Sequence, residues 1–101
     1  MVTREALYDA IDKYVIDDMN VIDNWRGNEL SFREISYSIW AAKELKNYLD
    51  KNPGIDPFIV VSLFTKKMRD YSCMSSSGVS KHMFSVGETV GNYFLDNVLL
   101  K

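Results

Sequence analysis

The stretch LSFREISYSIWAAKELKNYLDKNPG, residues 30–54, decides the fold class. Ser31 followed by Glu34 has the form of a helical capping box, with Leu30 and Ile35 placed as its hydrophobic staple. Ile35, Ile39, Ala42 and Leu49 then recur at helical spacing, and Asn52-Pro53-Gly54 stops the run. A helix over 31–51 is predicted.

That helix is apolar on two sides. Tyr37, Trp40, Ala41 and Tyr48 form a second stripe roughly opposite the first, where a surface helix would carry charge. Either this is the central helix of a bundle, packed on both sides, or the aromatic stripe faces solvent on the monomer and meets a partner. Trp, Tyr and Arg are the favoured anchors of protein interfaces. Trp25-Arg26, in the connector just before the helix, extends such a patch unless Trp25 pins that loop onto the core. The candidate partner-binding residues are therefore Tyr37, Trp40, Tyr48, Trp25 and Arg26.

Similar signals bracket three more helices. Thr3 is a competent N-cap with Val2 and Leu7 as staple, and Leu7, Ile11, Tyr14 and Val15 recur behind it. Asp18 falls on the same stripe, so this helix is expected to fray near Asp17 and span roughly 3–19. Asp56 as cap with Pro57 in the first helical position opens a third helix over 56–73, lined by Val60, Phe64, Met68 and Tyr71. Cys73 to Lys81, with Ser75-Ser76-Ser77-Gly78, reads as a loop. Ser85 with Glu88 forms a second capping box for a helix over 85–100, whose core stripe is Val86, Val90, Tyr93, Phe94 and Val98 and whose Gly91 permits close helix contact. No strand pattern competes. A single all-α domain over 1–101, a bundle of about four helices, is expected.

The 101 residues suit one domain, and 47% apolar content is enough for a core and too much for a disordered chain. A net charge of -2 supplies no long-range pull toward nucleic acid or acidic membranes. One cysteine, Cys73, excludes an internal disulfide. The apolar run Phe58–Phe64 is far shorter than the ~20 residues that cross a bilayer, and Arg4, Glu5 and Asp9 stand where a signal peptide needs apolar residues. The expected setting is a reducing cytoplasm.

Catalytic and metal chemistry find few residues to work with. Cys73 and His82 are the lone thiol and imidazole, too few for a zinc site, and nothing supplies the orienting group or oxyanion hole that a Cys–His pair needs. A half-buried thiol and a solvent-facing loop histidine are expected. Gly87 and Gly91 lie inside a helical pattern, not in a phosphate loop. Neither catalytic residues nor a cofactor or metal are assigned.

Charge is unevenly spread. Residues 1–24 hold six acids, Glu5, Asp9, Asp12, Asp17, Asp18 and Asp23, against Arg4 and Lys13, with Glu5, Asp9 and Asp12 on one helix face. Residues 53–84 hold Lys66, Lys67, Arg69 and Lys81 against Asp56 and Asp70. The first face would suit a DNA-mimicking inhibitor and the second a phosphate contact, although each is also an ordinary solvated surface.

Asp56-Pro57-Phe58, the run Lys66-Lys67-Met68-Arg69-Asp70-Tyr71-Ser72-Cys73 and Phe84-Ser85-Val86, through Phe94, resemble short uncharacterised proteins of phages and prophages of Gram-positive bacteria. The resemblance covers about the last 45 residues and transfers no catalytic motif. It implies an accessory protein, of a sort that in some cases binds host or defence proteins. With the doubly apolar second helix, it gives the leading expectation: a non-enzymatic protein-interaction module, self-associating as a homodimer or binding a host protein. The alternatives are a nucleic-acid-binding accessory factor using the basic residues of the third helix, or the acidic mimic.

Overall fold

The Thr3 hydroxyl accepts the Ala6 N–H at 3.0 Å and so caps the first helix, α1, Arg4–Asp23. The structure, a computed structural model, describes residues 2–100. The expected fraying near Asp17 does not occur, and α1 continues to Asp23. Ile22 continues the inward stripe one turn beyond Asp18, and partial burial of one carboxylate is tolerated within the unbroken helix.

The second helix, α2, is Glu29–Asp50. Its cap is Asn28, whose side chain accepts the Ser31 N–H at 2.9 Å, so the helix starts ahead of the Ser31 expected from the capping box. The third, α3, is Pro57–Met74 and opens as predicted, with the Asp56 carboxylate accepting the Phe58 N–H at 2.8 Å.

The fourth helix, α4, is Gly78–Phe94, and here the predicted start at Ser85 is wrong. Ser77 caps it, leaving only Ser75–Ser77 of the expected loop outside a helix. Met83, Val86 and Val90 share one helical spacing across Ser85, so the helix runs through the second capping box without a break. After Phe94 the chain widens into a π-helical turn, Leu95–Leu99, closed by the Leu100 N–H on the Leu95 carbonyl at 2.8 Å.

The result is an all-α four-helix bundle, with no strand among the described residues. α2 is its central element. α1 lies antiparallel on one side, tied by Lys46 to Asp12 at 2.8 Å and by the Tyr8 hydroxyl to Asp50. α3 and α4 cover the other side. Ala41, Ala42, Leu45 and Leu49 of α2 meet Leu7 and Ile11 of α1, Val60, Val61, Phe64 and Met68 of α3, and Val90 and Phe94 of α4. Each large apolar side chain removed from water contributes roughly 1.5–3 kcal/mol.

α3 and α4 form the tightest pair, because Gly87 faces Met68 and Gly91 faces Thr65 with no side chain between them. Arg4 locks the turn between α2 and α3, donating to the carbonyls of Leu49, Asn52 and Ile55 at 2.9, 2.8 and 2.6 Å. No helix among the described residues is long and apolar enough to cross a membrane.

Candidate interaction surface

The aromatic stripe of α2 lies against its own chain. Tyr37 meets the His82 ring edge-on at 5.7 Å, Trp40 meets Phe84 at 6.0 Å, and Tyr48 meets Phe64 at 6.2 Å with the rings almost perpendicular. These are the edge-to-face arrangements that the ring quadrupole favours. All three residues are half-buried, and Ala41 between them is fully buried.

Trp25 and Arg26 sit apart from that stripe, in the connector between α1 and α2. The Trp25 indole lies across Gly27, where a Cβ would stand 2.3 Å from the ring, and donates to the Asn28 carbonyl at 3.1 Å. Trp25 therefore pins the connector onto itself, and Arg26 is exposed beside it. Among the described residues no ring-to-ring contact joins Trp25 to Tyr37, Trp40 or Tyr48.

Between α2 and α3 runs a half-open groove of about 440 Å³. Tyr48, Phe64 and Tyr71 form its aromatic lining, Lys51 and Lys67 its cationic rim, and Glu44 and Asn47 add polar groups. The Lys67 ammonium stands over the Tyr48 ring, 5.2 Å from its centroid.

The surface of α3 also departs from that of an ordinary amphipathic helix. Its inner side carries the core residues named above, yet Ile59 is 50% and Leu63 45% exposed on the outer side, with Ile55 40% exposed just before the helix. Phe58 is exposed next to them. The sequence carried this signal in Phe58–Phe64. At 3.6 residues per turn, six apolar residues within seven positions encircle the helix, so some of them must face away from the core.

The charged residues are more dispersed than their sequence clustering suggests. Lys66 and Asp70 approach to 4.0 Å on α3, Lys67 turns toward Tyr48, and Arg69 is exposed. Lys66 and Arg69, three residues apart, share one side of α3, while Lys67 points about 100° away from Lys66, so the three do not form a single patch. On α1, Glu5, Asp9 and Asp12 are exposed, but Asp12 is paired with Lys46 and holds that ammonium above its ordinary pKa. Burial, reinforced by the neighbouring Asp17 carboxylate, pushes Asp18 up.

Cys73 and His82 are not brought together for joint chemistry. Cys73 is exposed on α3, not half-buried as expected. His82 is on α4, not in a loop, and is half-buried. Its Nε2 lies 3.5 Å from Glu34 Oε1 without forming a hydrogen bond. Among the described residues no group of three or more His, Cys, Asp or Glu side chains is arranged to hold a metal ion. Comparison with protein-family models, with curated proteins and with solved structures finds no match to the chain.

Proposed function

We propose that this chain is a non-enzymatic protein-interaction module of the cytoplasm that works by self-association. One observation carries the reading: the N-terminal half of α3 is apolar on both its inner and its outer side. A helix apolar all round belongs in an interior, and here only one side has an interior to enter. The exposed Cys73 thiol suits a reducing compartment. A phage accessory role, as the resemblance of residues 56–94 implies, suits a small module of this kind.

The aromatic stripe of α2 contributes to this function indirectly. It holds α3 and α4 in place through Tyr48–Phe64 and Trp40–Phe84, so the contact surface lies one helix further out.

Light scattering on a sizing column over a range of concentrations tests the reading. A mass rising toward twice the 11.7 kDa of the chain is expected. A strict monomer at every concentration rejects self-association.

The groove between α2 and α3 favours a second reading, binding of single-stranded nucleic acid. Lys67 over Tyr48, with Tyr71 exposed nearby, combines a cation with aromatic faces on which bases stack. A mobility shift at low salt that disappears in Lys67→Ala would support it. No shift with any single-stranded probe rejects it.

A further inference from the structure

We propose that the outer face of α3 docks on the same face of a second copy in antiparallel register, with Ile59 of each chain packed on Leu63 of the other. The inference rests on the self-association reading and adds the surface, the direction and the register.

Positions 59, 63, 66 and 70 follow the alternating four- and three-residue spacing of a helix–helix seam, and none of them belongs to the core of its own chain. Ile59 and Leu63 are the apolar part of the seam. Lys66 and Asp70 are its charged part, exposed and joined only by a 4.0 Å contact. Asp56 stands exposed at the other end, where it caps α3.

The charges decide the direction. In a parallel two-fold pairing each position meets itself, so Lys66 would face Lys66 and Asp70 would face Asp70. In the antiparallel pairing that sets Ile59 on Leu63, position 66 falls opposite position 56. Each Lys66 then meets the other copy's Asp56, at both ends of two apolar layers. Repulsion disfavours the first arrangement and complementarity supports the second. Opposed helix dipoles add to the same preference. A seam of two to three turns is at the small end of specific interfaces, so a dissociation constant of roughly micromolar to millimolar is expected.

Cross-linking reads the register directly. In a Cys73→Ser background, Ile59→Cys and Leu63→Cys proteins are oxidised separately and as an equimolar mixture. Faster formation of the mixed disulfide than of either homodisulfide is expected, because the two positions face each other only across the antiparallel seam. Leu63→Asp, at an exposed position that leaves the helical circular dichroism unchanged, should weaken association about ten-fold or more. Lys66→Glu should weaken it most at low salt.

Preferential homodisulfides, or a dimer mass that Leu63→Asp leaves intact, would overturn the antiparallel α3 seam while self-association stands. A wild-type chain that stays monomeric up to about millimolar concentration would overturn both.

Discussion

Gly91 is so close to Thr65 that a Cβ built on it would stand 2.0 Å from the threonine hydroxyl oxygen and 3.3 Å from its backbone Cα. The hydroxyl is committed to the Val61 carbonyl at 2.8 Å, and the backbone behind it belongs to α3. Nothing on that side can yield cheaply. Gly91→Ala is therefore expected to destabilise the fold by about 1–3 kcal/mol despite the better helix propensity of alanine. At Gly87 the obstructing atom is the Met68 sulfur, at 2.6 Å, on a flexible side chain. Gly87→Ala should cost much less, and urea unfolding of the two variants side by side checks the contrast.

Arg4 holds three carbonyls from the end of α2 and the turn beyond it. Arg4→Ala should cost about 1–2 kcal/mol, since partly buried hydrogen bonds from a charged group are lost together. Arg4→Lys should recover only part of this, because an ammonium cannot span the positions that a planar guanidinium fork reaches. Equal stability of the lysine variant and the wild type would remove the importance of the fork.

Asp18 gives a pH prediction with a definite sign. Its carboxyl is pushed up by burial and then by Asp17, so the folded state favours the protonated form more than the unfolded chain does. The stability this confers is complete at low pH, below the unfolded pKa, and is lost as the pH rises through the folded one. At neutral pH the half-buried charge is a liability. Asp18→Asn should melt at a higher temperature than wild type at pH 7, and the gap should close as the pH falls through the carboxylate range. A gap that is constant with pH would show that the charge is not its cause.

Trp40 and Leu63 should separate stability from association. Trp40 packs on Phe84, which in turn meets Tyr71 at 5.3 Å, so Trp40→Ala should cost about 2–4 kcal/mol of folding stability. The protein that remains folded should still associate. Leu63→Asp should do the reverse, with a nearly unchanged melting temperature and a lost dimer. Loss of association in Trp40→Ala with its stability intact would return the interface to α2.

Local chemistry was legible wherever one signal had no competitor. Thr3 and Asp56-Pro57 mark helix starts that the structure reproduces, and Gly91 makes the close contact expected of it. Ser85 and Glu88 failed because a serine and a glutamate three residues apart are also ordinary neighbours on one face of a continuing helix. Ser77, within a run that reads as loop, supplies the cap instead. Asp18 misled for a related reason: half-burying a single carboxylate costs less than ending a helix early. The two apolar sides of α2 were visible, but periodicity records only that a face is apolar, not whether its own chain covers it. The same limit concealed Ile59 and Leu63, which follow helical spacing as faithfully as Val60 and Phe64.

The absence of side chains at Gly87 and Gly91 has a meaning beyond packing density. α4 braces α3 from behind at Thr65 and Met68, adjoining the turn that carries Leu63 and Lys66 on its outer side. The backbone presenting that side is already ordered before anything arrives, so docking there would cost rigid-body freedom and side-chain rotors but no ordering of the main chain. The part of the binding cost that comes from ordering a segment is thus already met on folding, and a small, flat contact can be specific without being large.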